Sequence, residues 1–150
     1  MKRFIVFSLL LAAPGVGHAV AQSCGTASTG GMTRTQIIAL VSNKYACVGN
    51  SPSAQWNELH DSSSGSGNVL DYKLGPAHAT DPSNTPANPS GSFNVTGPGG
   101  DVAPGVIIYT YGGNAYGYYI VNNLTPPRYS FCGQSGGAPQ LAVTISASHC

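Results

Sequence analysis

Val106-Ile107-Ile108-Tyr109-Thr110-Tyr111, then Gly112-Gly113-Asn114, then Ala115-Tyr116-Gly117-Tyr118-Tyr119-Ile120-Val121 is the stretch on which the fold turns. Two runs rich in β-branched and aromatic residues flank a pair of glycines, and glycine supplies the positive φ that a tight hairpin turn requires. The same punctuation recurs along the chain. Working outward, strands are predicted near 44–48, 54–60, 68–74, 91–96, 105–111, 115–121, 128–132 and 140–146, separated by Gly, Pro, Ser and Asn turns. Such spacing predicts an all-β domain, a small antiparallel meander of about eight strands closing as a barrel or sandwich. Six prolines between Gly75 and Gly105 leave only Ser92–Thr96 there as strand, because proline has no amide proton for a ladder. Most of that segment is expected to be extended surface loop.

One helix is expected ahead of the strands. Thr33-Arg34-Thr35-Gln36 is a capping box, in which the Thr33 hydroxyl takes the Gln36 amide proton and the Gln36 side chain returns to Thr33. Ile37, Ile38, Leu40 and Val41 follow, so the helix, ending near Asn43, has an apolar face to cover a core or plug the end of a barrel.

Lys2 and Arg3, the apolar run Phe4–Ala13 and Ala19-Val20-Ala21 together match a secretory signal cleaved before Gln22. The run is too short to span a bilayer. Residues 1–21 are therefore expected to be a signal peptide and 22–150 a single β-barrel-like domain, secreted or periplasmic, with no integral membrane segment after cleavage. A lipid anchor on Cys24 lacks the apolar residue and small pair that should precede it. Only 7% of all residues are charged, against about 25% in ordinary domains. Without the signal, Arg34, Lys44, Lys73 and Arg128 stand against Glu58, Asp61, Asp71, Asp81 and Asp101. So balanced a surface, with no basic cluster, excludes nucleic acid and anionic membranes as partners.

Cys24, Cys47, Cys132 and Cys150 are an even number of cysteines in a small exported chain with no C-x-x-C, which predicts two disulfides. A hairpin around Gly133–Pro139 would put Cys132 opposite a residue near Leu141, leaving Cys150 about nine residues, or ~30 Å of strand, beyond it. Cys24–Cys150 with Cys47–Cys132 is the preferred pairing, and Cys24–Cys47 with Cys132–Cys150 the second.

Trp56-Asn57-Glu58-Leu59-His60, a Ser/Gly turn, then Leu70-Asp71-Tyr72-Lys73-Leu74 carries most of the polar information. On a strand Trp56, Glu58 and His60 share one face, and Leu70, Tyr72 and Leu74 another. Two registers are open. If Glu58 lies opposite Leu70 and Trp56 opposite Tyr72, then Trp56, Glu58, His60 and Tyr72 point inward together and floor a ligand pocket. A one-residue shift sets Leu59 against Leu70 inside and leaves Glu58 and His60 outside with Asp71 and Lys73. A structural polar network or a solvated face is the plainer reading of the same residues. An enclosed carboxyl must be hydrogen-bonded or paired, and such groups mark candidate sites.

Cys47, the Trp56-x-Glu58-x-His60 run, Asp71-Tyr72-Lys73-x-Gly75-Pro76, Asp81-Pro82-Ser83, Tyr109-Thr110-Tyr111, Tyr129-x-Phe131-Cys132 and Cys150 form a pattern covering nearly all of the chain after the signal. It resembles that of small exported proteins of Gram-negative bacteria with a lipocalin-like, or calycin-like, β-barrel and an N-terminal helix. The resemblance implies a fold and no substrate.

Other patterns are weaker. Gly133-Gln134-Ser135-Gly136-Gly137 has the spacing of a nucleophile elbow, but Pro139 and the β-rich run after it supply a strand where the elbow needs a helix. His60, His78 and His149 lack metal-ligand spacing, and neither a metal nor a cofactor is expected. Tyr109, Tyr111, Tyr116, Tyr118, Tyr119 and Tyr129 are expected to pack across the sheet in preference to forming a platform for sugars. Three functions follow. The first is a non-enzymatic binding module for a small apolar or saccharide ligand. The second is a structural or self-assembling cell-surface subunit, and the third a small hydrolase or isomerase using Glu58 with His60 or Asp71 as acid and base.

Overall fold

The computed structural model describes Cys24 and residues 30–49, 56–72, 88–124, 128–135 and 140–150. Eight antiparallel strands, β1 (Tyr45–Val48), β2 (Trp56–Asp61), β3 (Ser66–Asp71), β4 (Gly91–Thr96), β5 (Val106–Tyr111), β6 (Asn114–Asn122), β7 (Tyr129–Ser135) and β8 (Leu141–Ser146), follow a meander. Each pairs with the next, and β8 pairs back on β1, so the sheet closes as a barrel. All eight predicted strands are present, and the barrel, not the sandwich, is the form taken. The signal segment, Lys73, Leu74, His78 and Asp81 lie outside the described residues, as does much of the proline-rich segment. Gly112 and Gly113 have φ of 55° and 87°, the left-handed pair expected of the β5–β6 turn.

Helix α1 (Arg34–Val41) has the capping box intact, the Thr33 amide donating to Gln36 Oε1 at 2.8 Å and the Gln36 amide to Thr33 Oγ1 at 3.3 Å. Asp101 adds two bonds from outside, accepting from the Thr35 amide at 2.8 Å and the Thr33 hydroxyl at 3.0 Å. The helix plugs the barrel end where β4 stops and β5 starts. Ile37 and Val41 are fully buried there. The Arg34 side chain donates from Nε to the Val95 carbonyl at 3.1 Å. Gly105 lets the plug sit this low, since a Cβ on it would lie 2.6 Å from the Arg34 amide nitrogen.

Val69, Phe93, Val95, Ile107, Ile120, Phe131 and Val143 fill the interior above α1. Each large apolar side chain so enclosed contributes about 1.5–3 kcal/mol. The β2–β3 register sets Leu59 opposite Leu70, His60 opposite Val69 and Glu58 opposite Asp71. This is the shifted register of the two considered, but with the faces exchanged. Glu58 and His60 point inward and Leu59 and Leu70 outward, because β2 is pinned from its other side by Ala46 opposite Glu58 and Ala46 belongs to the core. Burial of Val69 opposite His60 completes the constraint.

The disulfides are Cys24–Cys132 and Cys47–Cys150, which overturns both pairings expected from sequence. Barrel closure is the reason. Pairing of β1 with β8 sets Cys47 beside Thr144 on the outer face, and the chain after β8 hooks back to reach it. Cys132 lies on the outer face of β7 opposite Tyr119 of β6. Gly31 bridges to Val121 of β6, and Cys24 packs against Tyr119, Val121 and Cys132 on the same outer face. Both bonds are compatible with an extracellular or periplasmic protein. Among the described residues no helix is long and apolar enough to cross a membrane.

Candidate functional site

At the barrel end away from α1, the C-terminal ends of β1 and β5 meet the N-terminal ends of β2, β6 and β8 around a cavity of about 270 Å³. Ala46, Val48, Phe131, Leu141 and Val143 make its apolar wall. Tyr109, Tyr111, Tyr116, Tyr118 and the Glu58 carboxyl complete it. Strand alternation explains the set. Tyr109 and Tyr111 are two apart on β5, Tyr116 and Tyr118 two apart on β6, so all four face inward. Tyr109 stacks on Tyr111 with ring centres 6.1 Å apart and planes 8° from parallel, and meets Tyr118 edge-on at 5.9 Å. Tyr111, Tyr116, Leu141 and Glu58 are half-buried and form the mouth, whereas Tyr109 and Tyr118 are buried beneath them.

The Tyr111 hydroxyl donates to Glu58 Oε1 at 2.9 Å. Burial pushes the Glu58 carboxyl up from 4.5 to about 7; the Tyr111 bond opposes this and the charge of Asp71 on β3 adds to it. Burial likewise raises the Tyr109, Tyr111 and Tyr118 hydroxyls, so these three remain protonated donors at neutral pH.

His60 is next along the same inward face, fully buried, and does not line the cavity. Its Nδ1 lies 3.1 Å from the Lys44 carbonyl, which only accepts, so Nδ1 carries the proton. Nε2 then accepts from the Tyr109 hydroxyl at 2.7 Å. Phe93 meets the ring edge-on at 4.9 Å. Burial lowers the imidazole to about 4, with the Lys44 bond opposing. His60 is thus a neutral, fully engaged structural group holding Tyr109, and it is not within reach of a ligand.

The structure therefore separates the residues that the sequence grouped. Glu58 is in the cavity, His60 beneath it, and Asp71 faces Glu58 across the β2–β3 ladder. Tyr72 is not in the pocket. It packs on the outside with Tyr45 and His149, ring centres 5.9 and 4.5 Å away, where Asn57 Nδ2 donates to His149 Nδ1 at 3.2 Å and ties down the tail that carries Cys150. The exchange of faces at β3 places it there. Trp56 pairs with Val48 in the backbone register, and its side chain is outside the described residues. The tyrosines, expected to pack across the sheet in preference to forming a sugar platform, are instead cavity walls; their i, i+2 spacing on two paired strands is the available signal. Among the described residues no group of three or more His, Cys, Asp or Glu side chains comes together to hold a metal. No protein-family model, curated protein or solved structure matches the chain.

Proposed function

We propose that this protein is an exported, non-enzymatic binding module of lipocalin-like kind, secreted or periplasmic, whose barrel mouth takes one small and largely apolar molecule. The observation that carries this reading is the cavity itself: about 270 Å³, walled by aliphatic and aromatic side chains, with one carboxyl as the charged group among its described lining residues. Its size is near the lower end of the roughly 300–1,000 Å³ of ligand pockets, which favours a compact ligand, and an apolar wall with few convergent polar groups is the usual lining. A saccharide fits less well, because its many hydroxyls would face aliphatic wall. Strand-to-strand assembly loses its motive, since closure of the sheet pairs the edges that would have driven it.

Native mass spectrometry of protein purified from its own source is expected to show a released small molecule. Titration of methyl-labelled protein with a panel of phenylalkyl alcohols, amines and acids is expected to shift the Val48, Leu141 and Val143 resonances first. An empty protein that binds no member of the panel overturns the reading. One observation favours a second reading: a carboxyl near 7 in an apolar cavity is suited to proton transfer at neutral pH, so Glu58 would be the acid or base of a small isomerase or hydrolase. His60 has no part in that version, because both its ring nitrogens are engaged.

A further inference from the structure

We propose that Glu58 and the tyrosine rings around it form a seat for an organic cation, a protonated amine with a short apolar tail, a ligand class that rests on the binding reading given above. Charge comes first. Among the described residues the cavity lining holds Glu58 and no lysine, arginine or histidine, and Asp71 stands directly across the ladder from Glu58 on the same face. An enclosed carboxyl at one end of a barrel attracts a cation and repels an anion.

Hydrogen bonding agrees. Among the described residues the Tyr111 hydroxyl is the donor to Glu58, through Oε1, while a carboxylate accepts about four bonds. An ammonium supplies two or three donors at once and neutralises a charge that is costly to enclose alone. Four tyrosine rings surround the same volume, and their π faces hold a cation within about 6 Å. Beyond the carboxyl, Val48, Leu141 and Val143 offer only methyl groups, so the tail must be apolar.

The arrangement makes capture pH-dependent. Among the described residues the titratable groups facing Glu58 are Asp71 from β3, Tyr109 and Tyr111 from β5, Tyr116 and Tyr118 from β6, and His60 beneath on its own strand. His60 stays neutral down to about 4, and Tyr109, Tyr111 and Tyr118 are raised above their ordinary range. Glu58, at about 7, ionises near neutrality. An ion pair with an amine therefore tightens as pH rises through that value.

The test uses the full chain with 4-phenylbutylamine, 4-phenyl-1-butanol and 4-phenylbutyrate as probes, with binding followed by calorimetry and methyl resonances. At about pH 8 the amine is expected to bind about tenfold or more tighter than the alcohol, and the acid weakest. Between about pH 5.5 and about pH 8 the amine affinity should rise by about thirtyfold, the ratio of ionised Glu58 at the two values. In Glu58→Gln the amine-to-alcohol ratio should fall to near one and lose its pH dependence. Equal affinity of wild type for alcohol and amine at pH 8, or an amine affinity flat across that range, overturns the cation seat and leaves the binding module standing. Failure of all three probes overturns both.

Discussion

Replacing Glu58 with Gln keeps the outline of the side chain and an oxygen for the Tyr111 hydroxyl, while removing the titration. In the folded chain the carboxyl is raised from 4.5 to about 7, so the folded state holds the proton more tightly than the unfolded one. Its contribution is fully favourable below about pH 4.5 and is lost as pH rises through 7. At about 1.36 kcal/mol per pH unit this loss has an upper bound of about 3 kcal/mol, which water at the half-buried mouth reduces to about 2. Glu58→Gln should therefore match wild type at about pH 4 and exceed it by about 2 kcal/mol at about pH 8, equivalent to a Tm higher by roughly 5–10 °C. His60 acts in the opposite sense. Lowered from 6.5 to about 4, it costs stability as pH falls between those values, so in wild type the two slopes nearly cancel from about 4.5 to 6.5. The variant should expose the His60 slope alone, rising to about pH 6.5 and then level. Urea unfolding at four pH values, with the slope m checked for constancy, measures this. A variant no more stable than wild type at pH 8, or a gain equal at pH 4 and 8, refutes enclosure of an unneutralised carboxyl.

Four further outcomes are expected. His60→Leu leaves the buried Tyr109 hydroxyl without its acceptor and should cost about 2–4 kcal/mol; adding Tyr109→Phe should restore more than about 0.5 kcal/mol of it, and strict additivity in denaturant unfolding would deny the bond. Peptide mapping without reduction should recover Cys24 with Cys132 and Cys47 with Cys150. Because the second bond closes a loop 103 residues apart in sequence, Cys47→Ser with Cys150→Ser should cost about 4 kcal/mol, and a loss under about 1 contradicts the loop-closure argument. Gly105→Ala forces backbone apart from the start of α1 and should destabilise by about 1–3 kcal/mol, seen as a lower urea midpoint; an unchanged midpoint would show that the plug has room to move.

Local chemistry was legible and long-range geometry was not. The capping box at Thr33 and the glycine pair at 112–113 each depend on neighbours a few residues away, and both stand where the sequence put them. Strand positions follow from the same short-range alternation. The face of β2 depended on a partner the sequence does not name: Ala46 on β1, small and unremarkable in the chain, decides that Glu58 turns inward. The disulfide pairing failed for a related reason, since Cys47 and Cys150 approach only because β1 meets β8 across the whole length of the domain. Tyr72 goes outside with the exchanged face of its strand, and the sheet packing expected of Tyr109, Tyr111, Tyr116 and Tyr118 gives way to a cavity lining because closure turns one face of a sheet into a wall.

The plugged end and the cavity end divide the labour of the barrel. Ile37 and Val41, the bonds from Thr33 and Thr35 to Asp101 and the close seat on Gly105 all lie at one pole, while Val48, Tyr116 and Leu141 line the rim of the other. Substitutions at that rim leave the foundation untouched, so selection or a protein engineer can retune what the rim accepts at little cost to the scaffold. A barrel built in this way is a ready starting frame for sensors.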